Sequence, residues 1–333
     1  GYRTAAIGKW HLGWDWDAIR KPDAKATTSG QGKRKRKSWG PQDFDWSKQI
    51  PDGPLAHGFD HYFGDSVINF PPYCWIRDDK VEKAPDAMLD TGKWKKIKEG
   101  NWECRPGPAR SDWDPYQNIP VTTRKGVEFI KAQADTDQPV FLYFAFPSPH
   151  APIIPNDEFD GKSQAGPYGD FVHETDHACG QLLQALADSG QAEDTLVIFT
   201  ADNGPEKYAY ARDQKYDHWS AKPLRGLKRD IYEGGHHVPF LARWPATIMP
   251  GAVSDHVSAL WDVMPTLCEI AGITPPRGID GISFLPTLLG NPAGQQQHPY
   301  LYWELPLRGG LQAIRVGDWK ALRARVSRRP LVP

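Results

Sequence analysis

The sequence predicts an α/β fold, a mainly parallel sheet flanked by helices, with a small antiparallel piece at the C-terminal end. Three observations carry this. PVFLYFAF (139–146) and TLVIFTADNG (195–204) contain continuous apolar runs of strand length, which suit strands buried on both faces. Between them, YGDFVHETDHACGQLLQALADSG (168–190) puts Val172, Thr175, Cys179, Leu182, Leu183 and Leu186 on helical spacing, with Gly190 as a stop. Strand, long helix, strand reads as a βαβ unit, which implies a parallel pair.

In chain order, the opening GYRTAAIGKWHLG (1–13) reads as a patterned segment entered midway, with no Met and no charged leader. If it is extended, Lys9 and His11 share one face and Trp10 takes the other. The run Lys33 to Lys37 sits among Gly and Ser and reads as an exposed loop, either a solvated insertion or a basic rim for a polyanion. Residues 70–118 form a Trp- and Pro-rich excursion of little periodicity, whose tryptophans suit sugar faces and core anchors equally. Residues 122–133 read as a short amphipathic helix through Val127, Phe129 and Ile130. Residues 262–272 read as a helix with Pro265 in its first turn and Gly272 at its end. From about Asn291, YLYWEL and LQAIRVGDWKALRAR alternate like short antiparallel strands. The expected division is 1–290 and 291–333.

Composition limits the functional classes. With 333 residues and a net charge of −1, no global charge points to nucleic acid. No apolar run is long enough to span a bilayer. None of Cys74, Cys104, Cys179 and Cys268 has the close spacing of a zinc or redox pair. Cys179 and Cys268 read as buried thiols; Cys74 and Cys104 read either as a disulfide or as two thiols.

Ligands of parallel sheets gather beyond the carboxyl ends of the strands. His150 follows one apolar run there, and Asp202-Asn203 follows the other. Asp202 and Asn203 offer hard oxygens suited to Ca2+ or Mg2+, and an Asx turn accounts for them equally well. Taken singly, Lys9, His11, His150 and Lys228 are ordinary. Together with Asp202 and Asn203 they suit a tetrahedral oxyanion, with a cation offsetting charge and a histidine protonating a leaving group.

At this point the sequence resembles a known family. GYRTAAIGKWHLG is similar to the second signature of the type I sulfatases, formylglycine-dependent and arylsulfatase-like, of the alkaline phosphatase superfamily. FLYFAFPSPHAP resembles that family's histidine loop, TLVIFTADNG its metal segment, PLRGLKRDIYEGGHHVPFLARWP its later lysine motif and GDWKALRAR its C-terminal strand. The resemblance implies an alkaline-phosphatase-like fold and Ca-assisted hydrolysis of a sulfate ester, on a sulfated carbohydrate or an aryl sulfate. It assigns Lys9 and Lys228 to sulfate oxygens, His11 to the nucleophile and to breakdown of the covalent intermediate, His150 to the leaving alcohol, and Asp202 and Asn203 to Ca2+. All six are expected to converge on one anion pocket. The family habit is a periplasmic or secreted protein.

One departure matters. No C/S-x-P-x-R segment, the source of formylglycine, occurs in the chain, and no Asp-Asp pair precedes Lys9. The expectation is therefore a sulfatase truncated at its N-terminus, with its first strand and nucleophile segment missing and formylglycine lying upstream. Such a chain is expected to be inactive alone, to bind calcium weakly and to leave an unpaired sheet edge. The competing readings are a phosphodiesterase or phosphonate hydrolase of the same superfamily, and a non-catalytic relative that binds sulfated glycan.

Overall fold

The computed structural model describes residues 1–29, 36–134, 136–306 and 309–324. They fall into two compact units, Gly1–Gly190 with Lys215–Asp217, and Gln191–Gln214 with His218–Pro333.

The first unit contains β1 (Arg3–Gly8), β2 (Thr27–Ser29), β3 (Arg36–Ser38), β4 (His61–Gly64), β5 (Ile76–Arg77), β6 (Lys80–Val81), β7 (Ala87–Met88), β8 (Pro108–Ala109), α1 (Asn118–Lys131), β9 (Val140–Ala145) and α2 (Gly166–Asp188). Five strands form one mixed sheet in the order β6-β5-β4-β1-β9. β1 is parallel to both neighbours, running from Arg3↔Val140 to Gly8↔Ala145 on one side and from Ala5↔His61 to Ile7↔Phe63 on the other. This corrects the expectation of a missing first strand with an open edge beside it. The opening segment is itself the strand between β4 and β9, paired on both sides.

Small residues suit β1 to that position. Ala5 and Ala6 are each 1% exposed. Ala6 faces an aromatic cluster that includes Trp10, Trp14, Phe44 and Tyr62. On the opposite face α1 packs closely because Gly126 has no side chain: a Cβ there would lie 2.6 Å from Phe144 and 2.7 Å from Leu182. The tryptophans of the 70–118 excursion are anchors. Trp75 stacks on Phe63 and meets Trp113 at 4.9 Å, and Trp94 meets Trp102 at 4.6 Å.

The second unit holds β10 (Val197–Thr200), most of α3 (Tyr208–Tyr216), β11 (Phe240–Arg243), α4 (Val263–Ile270), α5 (Leu285–Leu288), β12 (Leu301–Leu305), β13 (Leu311–Val316) and β14 (Trp319–Ala324). The last three strands make the expected antiparallel meander. α4 starts one residue after Asp262, whose buried carboxylate accepts the Ala259 and Ile282 amides and meets His298 at 2.9 Å. Gly272, at φ 68°, ends the segment.

Two expectations fail here. β10 pairs antiparallel with β11, not parallel with β9, so the β9–α2–β10 segment is not a crossover within one sheet. β9 is the last strand of its sheet among the described residues, and Phe141 and Tyr143 are 36% and 47% exposed, so it is not buried on both faces. All four cysteines are free. Of the basic run Lys33 to Lys37, residues 33–35 lie outside the described residues, and Lys37 is exposed on β3.

Gly8 adopts φ +99°, and a Cβ there would sit 2.1 Å from the Ala145 carbonyl oxygen. Gly8→Ala is expected to destabilise the protein by at least about 2 kcal/mol, read from urea unfolding, because it adds left-handed strain to a backbone clash.

Candidate active site

Lys9 and His11 leave the carboxyl end of β1, and His150 leaves that of β9, so the three come off neighbouring parallel strands at one rim of the sheet. The strand stops at Gly8, and the Lys9 amide donates to the Ala145 carbonyl at 2.8 Å. Residues 9–13 are therefore a loop, so the extended arrangement considered for Lys9 and His11 does not apply, and Trp10 is buried. Its amide donates to the Ser66 carbonyl and its indole to that of Gly13, both at 3.0 Å. Lys9 is half-buried, while His11 is exposed and stands edge-on to Phe70 at 5.3 Å. His150 is half-buried, with Nδ1 2.6 Å from the Ala151 carbonyl oxygen, a contact that orients the ring and directs Nε2 away from it.

In the second unit, Asp202 and Asn203 follow β10, and the next residues run along the lysine segment. The Gly204 amide donates to the Gly235 carbonyl at 3.0 Å, and the Lys228 amide to that of Pro205 at 2.9 Å. Arg229 pairs with Glu206 at 2.6 Å. A Cβ on Gly204 would lie 1.8 Å from the Gly234 oxygen, so glycine is required for this contact. Asp202, Asn203 and Lys228 are thus brought into one local structure. The other three sequence-derived residues belong to the first unit.

As a metal centre, the residues present are incomplete. Calcium takes about six to eight oxygens. Asp202 and Asn203 supply two kinds of hard oxygen, and no group of three or more His, Cys, Asp or Glu among the described residues could hold a metal.

Sequence reasoning passed over Asp65. It follows β4 at the same rim, is 1% exposed and accepts Asn118 Nδ2 at 2.7 Å, while its Oδ1 has no partner. Burial pushes its carboxyl up to about 6, against the opposing pull of the Asn118 hydrogen bond and the Lys9 charge. The available signal was a lone Asp directly after an apolar strand, in HYFGD.

The first unit thus carries cationic and imidazole groups at a parallel sheet rim, and the second an Asp-Asn-Gly turn laced to a lysine segment. The sulfatase family model matches residues 1–273, and the chain belongs to the sulfatase family. A second model, described as the C-terminal part of N-sulphoglucosamine sulphohydrolase, matches residues 227–322. The chain is 32% identical to human N-acetylgalactosamine-6-sulfatase over 96% of its own length and 52% of the relative's. It is 40% identical to human arylsulfatase A over 56% of its length and 36% of the relative's. The chain spans about half the length of the N-acetylgalactosamine-6-sulfatases it matches. In fold it is similar to a Bacteroides thetaiotaomicron protein from work on the metabolism of multiple glycosaminoglycans, with TM-score 0.73, 23% identity and coverage of 97% of this chain and 68% of that one.

The family match begins at residue 1. With β1 paired on both sides inside the sheet, this stands against the expectation of a domain that lacks its first strand, on which the truncated reading with formylglycine upstream was built.

Two outcomes are expected. Calcium titration by calorimetry gives a dissociation constant of about 10⁻³ M or weaker, as a sparse oxygen set implies. For Asp65, the native carboxyl keeps its proton to about pH 6 and the unfolded one loses it near 3.8, so this group makes stability fall as pH rises through that window. Asp65→Asn removes the effect. Relative to the parent, the variant gains roughly 2–3 kcal/mol between pH 3.5 and 7, read from unfolding curves.

Proposed function

We propose that the protein hydrolyses sulfate esters, with a sulfated carbohydrate as substrate. The observation that carries the reading is the lacing of Lys228 to the segment that follows Asp202-Asn203, within a chain matched by the sulfatase model. In this reading Lys9 and Lys228 neutralise the sulfate oxygens, where charge concentrates as the S–O bond breaks. His11 serves the nucleophile. His150, its Nδ1 held by the Ala151 carbonyl, presents Nε2 to protonate the departing alcohol. Asp202 and Asn203 are two donors toward a hard divalent cation, which supplies further charge neutralisation when bound.

The carbohydrate part rests on the curated relatives. Human N-acetylgalactosamine-6-sulfatase is by its name a sugar sulfatase, and the match extends over nearly the whole chain. The tryptophans no longer support it, since those of the excursion pack on one another and on Phe63. The proposed division is a catalytic part over 1–290 and a small C-terminal subdomain over 291–333, in an exported protein.

The test is sulfate release from a sulfated hexosamine and an aryl sulfate, beside a phosphodiester control. Lys228→Ala is expected to lower turnover by about 10²–10³-fold. His150→Ala costs about 10²–10⁴-fold on the sugar sulfate, whose leaving alcohol needs a proton, and much less on the aryl sulfate. Equal losses on both esters refute the acid role of His150. Turnover of the phosphodiester alone refutes the sulfatase reading.

A further inference from the structure

The first unit contains a cavity of about 580 Å³ that the residues above do not use. Its size falls within the range of about 300–1,000 Å³ typical of small-ligand sites. Lys96, Lys98, Asp160, Asp170, Lys215 and Tyr216 line it. Both carboxylates are already committed. Asp170, 1% exposed, accepts the backbone amides of Gly161, Lys162 and Ser163 at 2.8, 2.9 and 2.6 Å. Asp160 is ion-paired with Lys98. Lys96 and Lys215 form no ion pair among the described residues, and Lys215 Nζ stands 4.9 Å over the Tyr216 ring.

The walls add to this positive balance. The cavity is closed on one side by the start of α2, where Gly166 adopts φ +68°. A Cβ on Gly166 would sit 2.4 Å from the Tyr216 ring, so that glycine lets the ring and the helix end meet. The helix is 23 residues long, and the positive end of its dipole lies at this wall. Two ammonium groups outside any ion pair among the described residues, a helix N-terminus and an aromatic ring surround a space the size of a small ligand, while Asp160 is paired with Lys98 and the Asp170 carboxylate is turned to three backbone amides.

We propose that this cavity binds an anionic substituent, a sulfate or a carboxylate, of a polyanionic saccharide. The inference rests on the carbohydrate reading above and adds to it: the substrate carries more than one anionic group, and a second one is held at Lys96 and Lys215. The ester that is cleaved is held elsewhere.

The experiment is calorimetric titration with a sulfated hexosamine–uronate tetrasaccharide and, separately, with inorganic sulfate. It compares the parent, Lys96→Ala/Lys215→Ala and Lys96→Arg/Lys215→Arg. Both side chains are exposed, so the variants are expected to keep the parent's melting temperature. The alanine pair is expected to weaken tetrasaccharide binding roughly tenfold and flatten its salt dependence, while the arginine pair restores both. Hydrolysis of a monosulfated aryl ester stays unchanged in all three. Unchanged tetrasaccharide affinity in the alanine pair, or no binding by the parent, overturns the proposal even if the aryl ester is cleaved. Inorganic sulfate binding as tightly as the tetrasaccharide overturns its saccharide part. Lysine-dependent tetrasaccharide binding without any sulfate release supports the cavity assignment and removes the catalytic reading instead.

Discussion

The first unit depends on three strand ends meeting at Gly8 with no side chain between them. A Cβ on Gly8 would touch the Ala145 oxygen at 2.1 Å, and one on Gly64 would touch the Gly8 oxygen at 2.0 Å. Tyr62 fills the remaining gap, its hydroxyl donating to the carbonyls of Gly8 and Asp65, both at 2.9 Å. Parallel strands that end flush send the next residues out of one rim. Lys9, Asp65 and the loop to His150 therefore emerge together because two positions lack a Cβ, and chemistry-bearing side chains need nothing more special than to come next.

The second unit solves a similar problem with a glycine-lined turn. Gly234 and Gly235 let the chain press against Gly204 and against the carbonyls of residues 225–230. Glu233 beside them is a hub. It accepts Lys320 Nζ at 2.5 Å, with His237 at 3.3 Å and Arg315 at 3.8 Å. Burial pushes its carboxyl up, but Lys320 and the neighbouring cations outweigh this and hold it below the usual range. Arg315 lies on β13 and Lys320 on β14, so one carboxylate ties the C-terminal meander to the turn that follows Lys228. The half-buried charge is paired, which offsets its partial loss of water. Burial, with the Lys320 and His237 charges, pushes His236 below the usual imidazole range against the opposing pull of Glu233, and its ring lies tilted against Trp303 at 4.4 Å.

Elements with a strong period were legible. The apolar spacing at Val172–Leu186 marked α2, and the alternation after Asn291 marked the meander, since both follow from local geometry. Sheet membership was not legible. The runs that became β9 and β10 look alike, but pairing is a long-range choice, and β10 took β11 across some 40 residues. The role of the tryptophans was undecidable from composition, because a ring suits a sugar face and a core equally well. Asp65 was invisible because its hydrogen-bond partner, Asn118, lies 53 positions away in the sequence. The link between Lys228 and the Asp202-Asn203 turn was legible only through family resemblance, because the Lys228–Pro205 contact leaves no local mark.

Asp65 also explains why the rim is electrostatically poised. A buried carboxyl with one donor and one unpaired oxygen is costly when ionised, and the protein can lower that cost either by keeping the proton or by keeping a cation close. The Lys9 charge favours the ionised form. An oxyanion drawn to the Lys9 ammonium offsets the same charge and so weakens its hold on Asp65. Binding at the rim and ionisation beneath it then oppose each other. If Lys9 holds an anion as proposed, a neutral Asp65 carboxyl leaves the lysine charge undivided for it.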